Sequence, residues 1–204
     1  YANAINEYGN KPRLQVVNIS GQGGNKGAKE AKKSKPDGCT LFAIHQSAIT
    51  SYLNGRIDFT WDAFDTVSLL TDSPDIVGAA GDSPWNNLTE MLDAGRKNPE
   101  TILTGATFGS TSQFMWLLME DLSGAKFKYV PFDGTRERMT ALLANNIQLG
   151  TLNVVAGKKY QTGAQLKAFT IAADESYDHL PDLPTLREHC LDLVYSLKRG
   201  NAVH

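Results

Sequence analysis

Short apolar runs alternate along this chain with segments whose apolar positions recur at helical spacing. The runs at 14–19, 40–44, 67–70, 76–80, 102–104, 127–130, 147–153 and 167–172 read as strands. Helical spacing predicts helices at 2–8, 28–35, 48–53, 88–98, 112–122, 136–145 and a short one at 184–190. Punctuation supports several of these. Gly9 stops the first helix, Pro36-Asp37-Gly38 makes a turn, Asn87 caps the helix that Pro99 follows, and Gly124 closes 112–122. The helix at 136–145 presents Met139, Leu142 and Leu143 on one side, and Met115, Trp116 and Met119 read as buried core rather than a cofactor box. Repeated strand–helix–strand units predict an α/β fold with mainly parallel strands.

In such sheets a ligand sits beyond the carboxyl ends of the strands. That rule selects four loops: 44–47 with His45, Gln46 and Ser47; 105–112 with Thr107, Gly109, Ser110, Thr111 and Ser112; 131–135 with Phe132, Gly134 and Thr135; and the stretch after Asn153. The second is the most informative. TGATFGSTS over 104–112 ends a strand in glycine and hydroxyls, and the apolar run QFMWLLMEDL then starts a helix. The first amides of a helix lack intrahelical acceptors, and the helix dipole puts partial positive charge there. Gly109 would let an anion approach the backbone, and the hydroxyls add donors, so a carboxylate or phosphate could be held without lysine or arginine. The same residues would also serve as an ordinary N-cap after a tight turn. Of the nominated loops, only Arg136 brings a basic side chain.

Composition narrows the classes. The chain has 204 residues, 41% hydrophobic and 21% charged, with formal net charge −2. That describes a globular protein with a real core and no basic face for nucleic acid. KEAKKSK over 29–35 reads as the solvated face of a helix. No stretch approaches a membrane span, and no signal peptide is seen, so the chain is not expected to be membrane-embedded. Tyr1 starts as though inside a helix, which suggests a processed or truncated form. Cys39 and Cys190 lie far apart and are expected to be two buried free thiols, while the four histidines make no ligand spacing, so no metal site is expected. The glycine run at 21–27 fails the dinucleotide spacing because Lys26 stands where the third glycine belongs, and no other cofactor is expected. Ser110 lies in F-G-S-T-S, outside a nucleophile elbow.

Six motifs then occur in order. VNISGQGGNKGA at 17–28 resembles V-x-N-x-x-G-x-G-G-N-x-G, KPDGCTL at 35–41 resembles K-P-D-G-Y-T-L, and FDTVSLL at 64–70 resembles D-F-x-P-V-S-L-L. Gly109-Ser110 at a helix start, VPFDG at 130–134 and LPDLPT at 180–185 complete the series. Nearly the whole chain is similar to the solute receptors of tripartite tricarboxylate transporters, the Bug (TctC) family of periplasmic binding proteins. The resemblance implies a type II binding-protein architecture of two α/β lobes joined by crossover strands. It implies closure on a small di- or tricarboxylate held mainly by backbone amides and hydroxyls, no catalysis, a periplasmic location and delivery to a membrane permease. Lobe 1 is expected at 1–77 with a return strand at 197–204, and lobe 2 at 78–196. The family's opening strand and anion loop are missing, so closure is expected to be weak. Gln113, Phe132, Asp133 and Gln148 depart from the family's usual histidine, tyrosine, basic residue and aspartate. The alternatives are an α/β hydrolase or transferase using the 109–112 anion hole, and a sensory receptor that has lost transport.

Overall fold

The computed structural model describes residues 2–9, 13–161, 164–173, 175–189 and 196–203. Strands β1 (Leu41–His45), β2 (Asp65–Ala80), β3 (Leu103–Ala106), β4 (Lys128–Pro131), β5 (Leu149–Asn153), β6 (Leu166–Ile171) and β7 (Ser196–Val203) form one open sheet. Their order is β1-β7-β2-β5-β3-β4, with β6 also on β2. Around it lie α1 (Ala2–Tyr8), α2 (Asn25–Lys32), α3 (Ser47–Leu53), α4 (Leu88–Lys97), α5 (Thr111–Ser123), α6 (Thr135–Leu143) and α7 (Val154–Gln161).

The 16-residue strand β2 joins the two parts of the sheet. Asp65 to Pro74 pair with β7, and Asp75 to Ala80 pair with β5 and β6. The handover falls at Pro74, which has no N–H for a ladder. On one side of it, β1 and the N-terminal half of β2 flank β7 over a core of Ala28, Ala31, Ala48, Ile57, Phe59 and Phe64. On the other, β5, β3 and β4 lie between two larger cores, one around Trp116, Met115, Met119 and Met91, the other around Ile76, Leu142, Leu152 and Ile171.

Local chemistry explains the helices that carry the site. Asn87 Oδ1 accepts from the Glu90 amide at 2.9 Å, and Glu90 Oε2 accepts from the Asn86 amide at 2.8 Å, so α4 starts with a reciprocal cap. α5 ends on Gly124 at φ +73°, the left-handed conformation that glycine adopts without strain. Trp116 is fully buried and packs edge-on against Phe127, with ring centroids 5.4 Å apart. Glu120, buried on α5, accepts from the Phe127 amide at 2.9 Å, Tyr129 Oη at 3.1 Å and Lys126 Nζ at 3.3 Å. These bonds fix β4 beside the last turns of α5. Burial, and then the charge of Glu120, push the Tyr129 phenol well above its ordinary value.

The α/β class holds, and several expected elements change. The strands are not mainly parallel: β3 pairs in parallel with β4 and β5, while every pairing of β2 and β7 is antiparallel. The runs at 67–70 and 76–80 are one strand, because Ser73-Pro74 continues the extended chain instead of turning it. Residues 14–19 form no strand, and Val16 and Val17 stand in solvent, so their apolar alternation has no sheet neighbour. α7 lies where a loop was expected, capped by Asn153. The helix expected at 184–190 is a single 3-10 turn at Arg187–His189. Cys39 is exposed rather than buried, on the turn after Gly38, while Cys190 lies outside the described residues.

Gly78 sits where β2 is flanked by both β5 and β6. A β-carbon there would meet Leu152 Cδ1 at 2.8 Å and the Lys167 carbonyl oxygen at 3.0 Å. Gly78→Ala is expected to destabilise the chain by about 1–3 kcal/mol, read as a lower urea midpoint at unchanged slope.

Candidate functional site

β3 delivers the chain into the loop 107–110, and α5 leaves it. Ser110 occupies the N-cap, yet its hydroxyl caps nothing and donates back to the Thr107 carbonyl at 2.7 Å. Ser112 Oγ accepts from the Thr107 amide at 3.0 Å and lies 2.9 Å from Ser110 Oγ. With the Ser110 proton on Thr107, the Ser112 proton points to Ser110. The two hydroxyls therefore close the loop on itself. Gly109 adopts φ +72°, and its amide donates to Gln113 Oε1 at 2.7 Å. Thr107, Ser110, Thr111 and Ser112 are all buried. The loop is thus braced from within, and Thr111 and Ser112 take the first positions of α5.

Beneath this loop lies a charge that the loops themselves do not carry. Arg138 of α6 is only 4% exposed. Its Nη1 donates to Ser112 Oγ at 3.3 Å and its Nη2 to Thr135 Oγ1 at 3.4 Å, linking the starts of α5 and α6. Its stem passes over Gly105 of β3 and Gly150 of β5, and a β-carbon on Gly105 would come within 2.8 Å of Arg138 Cγ. Burial pushes the guanidinium below its ordinary value, while Asp75 and then Glu137 act in the opposite sense.

The β1 side reaches the same loop. Thr50 Oγ1 of α3 lies 2.9 Å from the Gly109 carbonyl and 3.0 Å from the Ser47 carbonyl, and Arg56 Nη1 donates to the Phe108 carbonyl. Gly23, Arg56, Thr107, Phe108, Pro131, Phe132 and Asp133 line a cleft of about 370 Å³ between these parts.

The nominated residues separate into groups. Thr107 and Phe132 line the cleft, beside Gly109, Ser110, Thr111 and Ser112 of the loop and helix start. Gly134 and Thr135 start α6, and Thr135 is tied to the loop through Arg138. His45, Gln46 and Ser47 stand at the end of β1 and the start of α3. There the Ser47 amide donates to His45 Nδ1 at 3.1 Å, with Ser47 Oγ 2.8 Å from the same nitrogen, a local turn. Asn153 Oδ1 accepts from the Ala156 amide at 2.8 Å and so caps α7. Sequence reasoning missed Arg138, Arg56 and Thr50. Arg138 left a signal: it falls on the buried face of α6 with Met139 and Leu142, where an arginine is out of place. Arg56 and Thr50 left none, since their partners are carbonyls more than fifty positions away. Among the described residues no group of three or more His, Cys, Asp or Glu could hold a metal ion, and no helix is long and apolar enough to cross a membrane.

Comparison with known proteins identifies the family and the fold. The profile of the tripartite tricarboxylate transporter family receptors matches residues 10–196. A UPF0065 protein from the TAR-I ttuE-ttuC' intergenic region of Agrobacterium vitis is 27% identical over 179 residues, 86% of this chain and 52% of that protein. The chain spans about half the length of the curated relatives it matches. MatC of Rhodopseudomonas palustris, solved with bound malate, superposes with a TM-score of 0.81 at 26% identity, over 90% of this chain and 64% of MatC. A TctC solute binding protein from Polaromonas superposes at 0.71 and 26% identity, over 94% of this chain and 66% of that one. An R. palustris protein solved with adipate reaches 0.88 at 19% identity, over 99% of this chain and 69% of its own, which shows the shared fold. The fold is that of the type II periplasmic binding proteins, and the chain belongs to the tripartite tricarboxylate transporter receptor family.

Proposed function

We propose that this chain is the binding part of an extracytoplasmic receptor that holds a small di- or tricarboxylate and presents it to the permease of a tripartite transporter. The observation that carries this reading is the buried, self-braced loop before α5, whose Thr107 and Phe108 line a cleft, in a family of solute receptors. Oriented amides hold a carboxylate by charge-assisted hydrogen bonds, each about 1.5–3 kcal/mol. MatC, which holds malate, supports the ligand class.

The receptor would have two lobes. Lobe 1 holds 1–77 with 197–204, lobe 2 holds 78–196, and β2 runs through both with its change of partner at Pro74 as the bending point. A ligand favours closure only by touching both sides, since equal affinity for both forms shifts nothing. His45, Gln46 and Ser47 with Thr50 and Arg56 would face it from lobe 1. The loop 107–112, Phe132, Gly134 and Thr135 would face it from lobe 2, with Asn153 at the rim. Turnover is not part of this reading. The Ser110 hydroxyl is taken up by the Thr107 carbonyl and Ser112 Oγ, which supports a bracing role for it in this reading.

A thermal-shift panel of organic acids, sugars, amines and nucleotides tests the ligand class. A true ligand at about 100 times its dissociation constant adds about 2.7 kcal/mol of stability. Malate, citrate or another small carboxylate is expected to respond; a response confined to sugars or nucleotides would refute the proposal. Ser110→Ala removes the tie to the Thr107 carbonyl and is expected to lower stability by about 1–3 kcal/mol and carboxylate affinity with it. Gly109→Ala forces a side chain at φ +72° and toward Arg56, with an expected cost of about 1–2 kcal/mol in stability and a measurable loss of carboxylate affinity by calorimetry.

A further inference from the structure

Arg138 has more donors than partners. A guanidinium offers five N–H groups, and this one uses Nη1 on Ser112 at 3.3 Å and Nη2 on Thr135 at 3.4 Å, both long, while Nε is buried without a hydrogen-bond partner. Among the described residues no carboxylate forms an ion pair with it. The nearby acids that face it are Asp75 of β2 and Glu137 of its own helix, and the Glu137 carboxylate lies close enough to Gly134 that a β-carbon there would be 3.0 Å from Oε2. A buried charge without a close counter-ion is costly. The fold nevertheless makes room for it, with glycine at both strand positions that its stem crosses.

Resting on the carboxylate-receptor reading, we infer that Arg138 is the charge-reading residue of the site, selecting an ionised carboxylate seated between the starts of α5 and α6 over the neutral amide of the same shape. The guanidinium ends where the two helix starts meet. Both helices point their partial positive ends there, so three sources of positive potential converge from two elements. Thr135 Oγ1 accepts from Nη2, so its hydroxyl keeps its own proton for another acceptor. Ser112, accepting from both Arg138 and the Thr107 amide, is held so that its own amide, at the second helical position, keeps its aim. Amides and hydroxyls alone already favour an acid over its amide through charge-assisted hydrogen bonds. A guanidinium in low-dielectric surroundings adds to that preference, because charge interactions strengthen as the surroundings become less polar.

The test uses malate, adipate and citrate, each beside its mono-amide, in calorimetry on the unmodified chain, Arg138→Met and Arg138→Lys. The unmodified chain is expected to favour the acid over the amide by about 30-fold or more. In Arg138→Met that preference is expected to fall by about tenfold, while the melting temperature reports the structural effect separately. Arg138→Lys is expected to keep part of the preference, since the charge remains and the fork is lost. If Arg138→Met does not fold, Arg138→Gln takes its place, and an acid-to-amide ratio equal to that of the unmodified chain overturns the inference. Unchanged preference in a folded Arg138→Met leaves Arg138 as a structural brace and overturns it too. Failure of the unmodified chain to bind any of the three acids would instead overturn the carboxylate reading together with the inference.

Discussion

The fold depends on one extended segment keeping two sets of neighbours. β2 is paired with β7 as far as Pro74, and with β5 and β6 beyond it. A strand is stiff along its length because each residue is held by its ladder. It can bend where the ladder changes partner, and a proline, lacking an N–H, marks that place. Everything that approaches the cleft is hung on one side or the other of this point: α2 and α3 with β1 on one, and α5 and α6 with β3, β4 and β5 on the other. The tight packing of Gly78 against Leu152 and Lys167 shows how closely the second half is held.

The chemistry of the site follows from a division of labour among its polar groups. Hydroxyls that a sequence reading offers to a ligand are engaged within the protein: Ser110 on Thr107, Ser112 on Thr107 and Arg138, and the Asn153 carboxamide on the cap of α7. What they brace is backbone. A loop whose side chains are satisfied internally is held in one conformation, so a ligand that binds it as the proposal has it meets a preorganised backbone. The contacts of Thr50 and Arg56 with the carbonyls of Gly109 and Phe108 serve the same end from the other part of the molecule. They occupy two of the loop's carbonyl acceptors, on Gly109 and Phe108.

The sequence by itself determined the α/β class, the helices from α3 to α6 within a few residues, and the burial of Met115, Trp116 and Met119. Those features are local: capping at Asn87, the left-handed stop at Gly124 and the helical spacing of apolar residues act over a handful of positions. It also located the loop at 107–112 and, through six ordered motifs, the receptor family. Tertiary structure alone decided strand direction and continuity. Whether Ser73-Pro74 turns or runs on depends on Ser196 and Leu197 lying beside it, more than a hundred residues away. The apolar alternation of Val16 and Val17 came to nothing because no strand lies next to it. The cleft's electrostatics were likewise beyond local reading, because the charge under α5 comes from α6 through a slot between Gly105 and Gly150. A side chain's chemical role is set by what packs around it, and for Arg138 those neighbours come from four separate segments of the chain.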